Sequence, residues 1–216
     1  MITLNQETRL AVKEENLAKL AKLPYRYIDW LPIHDETNMR ELQSLIDRMS
    51  VMNALINISF GAPTDYIKSW IAQEGYTHAL STWEKDILEK ANDDLTEYET
   101  NSLRWYLEGL WALMWAAKMT DILDETQWIP DTMASLLPNL AEEEENDKLS
   151  LLSDMRSVRD IYTMMDYYYR LHWYCVDERI KGQEALINEG IVYERRRALE
   201  WLLDDESDWD EIEMST

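Results

Sequence analysis

The sequence predicts an all-α fold, a single compact multi-helix domain over residues 1–216 with two aromatic-rich helices at its centre. Three observations carry that reading. Apolar residues recur at spacings of three and four in one segment after another. Gly and Pro number only five each in 216 residues, too few for the many turns of an all-β chain. Two apolar runs follow a Ser/Thr-x-x-Glu pair, the mark of a helix start. With 46 % hydrophobic residues the chain has enough apolar surface to offset its ordering entropy, which excludes wholesale disorder.

Taken in order, Asn5 to Leu23 reads as a first helix, with Leu10, Leu17 and Leu20 as its inner line and Pro24 beyond its end. A Pro- and aromatic-rich connection follows. Thr37 caps a second helix whose stripe is Met39, Leu42, Leu45, Ile46, Met49, Met52 and Ile56, at core spacing rather than as a metal or cofactor box. A short helix runs from Thr64 to Glu74 and stops at Gly75. Ser81 with Glu84 and Thr96 with Glu99 form capping boxes. The second box opens a helix in which Leu103, Leu107, Leu110, Met114 and Ala117 line one face and Trp111 and Trp115 flank it. So wide an apolar surface belongs at the centre. Pro130 and Pro138 bracket a short segment, and Glu142 to Asp147 form a solvated loop. A long helix is expected from about Lys148 to Ile180, and a last one over Ile191 to Leu203.

The net charge is −22, from 43 acids and 21 bases, and its placement is uneven. Residues 51–150 hold 19 acids and 6 bases, and residues 201–216 hold 7 acids and no base. A field of that sign repels nucleic acid and anionic lipid and attracts basic proteins. No run approaches the roughly 20 apolar residues of a membrane span, and the opening residues lack the apolar core of a signal peptide. The single cysteine, Cys175, rules out an intrachain disulfide framework and fits a reducing cytoplasm. His34, His78 and His172 are scattered, and the acidic run lacks the glycine and spaced ligands of a calcium loop. No metal or cofactor is therefore expected.

The densest chemistry lies in YYYRLHWYC at 167–175. On a helix, Asp166, Tyr169, Arg170 and Trp173 share a face, while His172 lies beside them with Tyr168 and Cys175. A packed final helix would add Glu194, Arg195 and Arg196. Such an ionic cluster more often sets the register of buried helices than performs catalysis. The rival reading is an active site made of Asp166, Arg170, His172, Glu194 and Arg195. Cys175 sits deep in its helix among aromatics, a setting for an inert thiol rather than a nucleophile.

Three segments, EGLWALMWAAKM at 108–119, DYYYRLHWYCVDER at 166–179 and VYERRRALEWLLDDESDWDEI at 192–212, together resemble one family. They carry the Glu-x-Leu-Trp-x-Leu-x-Trp-Ala, Asp-x-x-Tyr-Arg-x-His-Trp and Glu-Arg-Arg-x-Ala-Leu-x-Trp-Leu patterns, then Trp-Asp-Glu, of domain of unknown function 4272. The resemblance is close over residues 100–216 and looser before them. It implies a mostly helical, cytosolic, stand-alone domain and brings no established activity.

The expected function is that of a cytoplasmic acidic interaction protein, such as an immunity or antitoxin-type protein neutralising a basic toxin nuclease. A nucleic-acid mimic that inhibits a DNA-binding defence protein is a variant of this reading, and the enzyme is the alternative from a different class. The partner face is expected at Asp93, Asp94, Glu97, Glu142, Glu143, Glu144, Glu145, Asp204, Asp205, Asp208 and Asp210. Acids at 93–97 also suit a helix start. Those at 142–145 and in the tail have no such local reason.

Overall fold

The computed structural model describes residues 3–35 and 38–216, and among these no strand occurs. The principal helices are α1 (Gln6–Leu20), α2 (Leu42–Ile58), α3 (Thr64–Gln73), α4 (Thr82–Leu88) and α5 (Glu97–Ala116). After a single turn, α6 (Asp147–Ser150), come α7 (Val158–Ile180) and α8 (Glu189–Leu202). The all-α class is as the sequence predicts. Buried apolar side chains form one cluster that runs from Val12 to Trp209.

Helix starts follow local chemistry. Asn5 caps α1 by accepting from Thr8 N at 2.8 Å, and both expected capping boxes, Ser81/Glu84 and Thr96/Glu99, are formed. The inner face of α1 is a different matter. Leu10 is 44 % exposed, and the buried line is Arg9, Val12, Asn16 and Leu20. The helix is turned so that Asn16 reaches a carboxylate on α7, described below. That polar demand outweighs a leucine at the surface.

Two expected helices begin later than their patterns, and for one physical reason. Thr37 lies outside the described residues, but α2 starts only at Leu42, so Met39 is buried from an extended segment. The Arg40 N–H in that segment donates to Leu202 O at 2.9 Å, and its Nε donates to Trp201 O at 2.8 Å. The guanidinium lies 4.3 Å over the Trp201 ring. Residues 151–157 behave alike, so the helix expected from Lys148 is instead the α6 turn, a break, and α7 from Val158. The Arg156 N–H donates to Ala116 O at 2.8 Å, Nε to Trp115 O at 2.9 Å, and the guanidinium lies 4.5 Å over Trp115. Each arginine thus caps the last two carbonyls of a distant helix and stacks on that helix's penultimate tryptophan. A helix end leaves carbonyls without partners and carries partial negative charge, so a cation with spare donors is favoured there.

The centre is broader than two helices. Every residue of α2 from Leu45 to Ile56 is buried. α8 packs against both α5 and α7 and joins the two aromatic helices. Gly109 permits this approach, because a Cβ there would stand 3.2 Å from the Met52 terminal methyl and 3.5 Å from Glu194 O. The chain end returns to the core as well. Trp209 is buried, with its ring 5.8 Å from those of Tyr106 and Trp201 and with the Arg48 and Arg197 guanidinium groups 4.1 and 4.8 Å from it. No described helix is long and apolar enough to cross a membrane.

Candidate functional site

The polar residues of the aromatic stretch fall into separate internal clusters. Asp166 is fully buried, and its carboxylate accepts from Arg170 Nε at 2.9 Å, Arg170 Nη2 at 2.8 Å and Asn16 Nδ2 at 2.8 Å. Asn16 also donates to Thr163 O, so the cluster locks α1 onto α7. Removing one member leaves a charge buried without its partner. Asp166→Ala or Arg170→Ala is expected to cost about 3 kcal/mol in urea unfolding. A variant that melts like the parent yet loses an assayed activity would instead assign these residues to a working site.

Arg195 faces the other way. Its Nε and Nη2 donate to Glu108 Oε2 at 2.9 and 2.7 Å, and its Nη1 donates to Tyr168 Oη at 3.1 Å. The Asp124 and Gln127 carbonyls accept from the same guanidinium at 2.6 and 2.8 Å. One side chain therefore ties α5, α7, α8 and the loop after α5 together.

Arg196 lies on a third side of α8. It donates to His172 Nδ1 at 2.6 Å, Glu200 Oε1 at 2.6 Å and Ser215 O at 2.9 Å, and its guanidinium is 4.7 Å over the Tyr169 ring. A cavity of about 490 Å³ opens beside it, bounded by His34, Tyr162, Glu200 and the tail. Burial, and then Arg196, push His172 down to about 4 from its ordinary 6.5, so it stays neutral with Nδ1 as acceptor. The unfolded chain takes up this proton before the native one does. Stability is thus complete above pH 6.5 and falls as pH drops toward 4, by on the order of 3 kcal/mol for this group. His172→Asn is expected to flatten that loss in urea melts between pH 7 and 4. An unchanged slope would contradict it. Burial lowers His34 to about 4 as well, with the same sign.

Burial pushes the Cys175 thiol up to about 12, which leaves no thiolate for attack near neutrality. Glu194 stands apart from the other members of the rival site and faces a groove on the α4 side of α8. Of the five residues, only Asp166 and Arg170 touch as the sequence suggested. His172, Arg195 and Glu194 each go elsewhere, so these five residues do not converge on one site. Among the described residues, no group of three or more His, Cys, Asp or Glu side chains is arranged to hold a metal ion.

Nothing in the sequence marks Glu108 as the partner of Arg195. The same holds for a buried group in which Arg48 meets Glu84, and Glu84 accepts from Tyr106 Oη at 2.8 Å. Glu84 was legible only as a cap, a role it also fills by accepting from Ser81 N at 2.9 Å. The acids at the surface are plainer. Asp93, Asp94, Glu97, Glu142, Glu143, Glu145, Asp205, Asp208 and Asp210 are exposed, while Glu144 and Asp204 are half-buried. Several have local roles that the sequence did not show. Asp204 accepts from Ser207 Oγ at 2.6 Å, Asp208 from Trp209 N at 2.6 Å, Asp210 from Trp83 N at 2.8 Å, and Glu144 from Asn139 N at 2.8 Å.

The family profile described as Domain of unknown function (DUF4272) matches residues 12–212. The chain belongs to this family. The match extends back through α2, α3 and α4 into α1, where the resemblance of the sequence patterns is looser. The DUF4272-like patterns supply much of the buried clusters, while Asn16, Arg48 and Glu84 come from outside them. Glu108 comes from the first, Asp166, Arg170 and His172 from the second, Arg195 and Arg196 from the third, and Trp209 from the last. No curated protein and no solved structure matches the chain.

Proposed function

We propose that this DUF4272 chain is an acidic interaction protein of the cytoplasm that binds a basic protein partner, as an immunity or antitoxin-type protein binds a toxin nuclease. One observation carries the reading. Four of the five residues that resembled an active site, Asp166, Arg170, His172 and Arg195, are spent on internal pairs, whereas most of the acids named for partner binding are exposed. An exposed field of one sign speeds encounter with a partner of the opposite sign and weakens as salt screens it.

Glu142, Glu143 and Glu145 are suited to the test, being exposed and outside the buried clusters. Together with Asp93, Asp94 and Asp205 they are changed to Lys, and association with the partner that co-purifies from the native host is timed at low and moderate salt. Slower association and a flatter salt dependence are expected, with helical circular dichroism unchanged. Equal rates and equal salt slopes would leave the charge with a role in solubility alone.

A further inference from the structure

The three most deeply buried carboxylates each hold an arginine: Glu84 holds Arg48, Glu108 holds Arg195, and Asp166 holds Arg170. Asp47 is held by His78 and Gln43 instead. Glu194 has no such partner. Its side chain is 13 % exposed, and its Oε2 is sealed with no hydrogen-bond partner among the described residues. The nearby cation, Arg197, stands 4.0 Å away, beyond hydrogen-bond reach. Arg197 is committed elsewhere, because its Nη2 donates to Trp209 O at 3.1 Å and its guanidinium packs on the Trp209 ring.

Glu194 lines a groove of about 710 Å³ between α4, the first half of α5 and α8. Trp83, Trp105, Tyr98 and Tyr193 supply aromatic walls, and Asp86 and Asp210 add two exposed carboxylates. Trp105 is held in place. A Cβ on Gly190 would fall 2.5 Å from its ring, and the Trp128 ring centre is 5.7 Å away. Aromatic faces attract cations and do not favour anions. A mostly buried carboxylate without a donor is unfavourable, and a cation in the groove offsets its charge. Burial already raises Glu194 to about 7, with Arg197 countering only part of that effect and Glu108 adding to it.

We propose that this groove receives one cationic side chain, an arginine or a lysine, with Glu194 as its counter-ion and the tryptophan and tyrosine rings as its walls. The inference rests on the basic-partner reading for the source of that side chain, and on the groove alone for its chemistry. Asp210 belongs both to the groove lining and to the exposed acids of the tail, so the surface field leads into the site.

The test uses the full chain and three peptides, acetyl-Gly-Arg-Gly-amide, its lysine counterpart and its neutral citrulline counterpart. Each is titrated while the tryptophan indole N–H resonances are followed by NMR, with Trp83 and Trp105 assigned by Phe replacement. The arginine or lysine peptide is expected to shift those two resonances, and the citrulline peptide is not. Ionised Glu194 favours the cation, so binding is expected to weaken by about tenfold from pH 8 to pH 6. Glu194→Gln is expected to weaken it at least as much at pH 8 while the melting temperature does not fall. Equal binding of the citrulline peptide, unchanged affinity in Glu194→Gln, or no shift at these indoles would overturn the site. Partner association that is lost on charge reversal but untouched by Glu194→Gln also overturns it, and leaves the acidic-binder reading standing. Peptide binding by a chain that takes no basic protein supports the groove and removes that reading.

Discussion

Arg195→Leu is expected to lower the unfolding free energy by about 3–5 kcal/mol, an effect of the size seen when one partner of a buried ion pair is removed. The leucine leaves Glu108 charged and sealed, and it strips donors from Tyr168 Oη and from the Asp124 and Gln127 carbonyls. Adding Glu108→Leu removes the orphaned charge, so the double variant should regain much of the loss. Urea unfolding of the two single variants and the double variant gives the coupling directly. A single variant within about 1 kcal/mol of the parent would show that the pair is not what holds α5 to α8.

The second large effect is at the other end of the chain. Trp209→Ala is expected to cost about 3–5 kcal/mol, the usual range for deleting a buried tryptophan side chain. The indole fills a space between Tyr106 and Trp201, and it is the surface on which Arg48 and Arg197 lie. Its loss also loosens the Arg48–Glu84 pair beneath it. Thermal melts of Trp209→Ala and of a chain ending at Leu203 should fall together. A truncated chain that melts like the parent would mean that the acidic tail is merely attached to the fold.

The tail shows how the two kinds of information divide. Its acidic composition is plain in the sequence, and so is the expectation of a charged surface there. That Asp204 and Asp208 also shape the turns delivering Trp209 to the core is visible only once the chain is folded. The Asp166–Arg170 pair was legible because it lies one helical turn apart on one element. Its third member, Asn16, was not, because it is 150 residues away and sits where a leucine stripe seemed the better inner face. Glu194 reads as a member of the same cluster because it is a sequence neighbour of Arg195 and Arg196. One residue step on a helix turns the side chain by about 100°, and so Glu194, Arg195 and Arg196 leave α8 in three directions.

What the sequence determined by itself was local or compositional: the all-α class, the caps at Ser81 and Thr96, the central aromatic helix α5, the inert setting of Cys175 and the acidic surface. Each depends on contacts within one turn of helix or on totals over the chain, and these survive without knowledge of the fold. The tertiary structure alone decided where α2 and α7 begin, which carboxylate each arginine meets, and which acid is left without one. Arg40 and Arg156 could equally have continued helices. Carbonyls at the ends of α8 and α5 claimed them instead, because an uncapped helix end near the core costs more than a few lost helical residues.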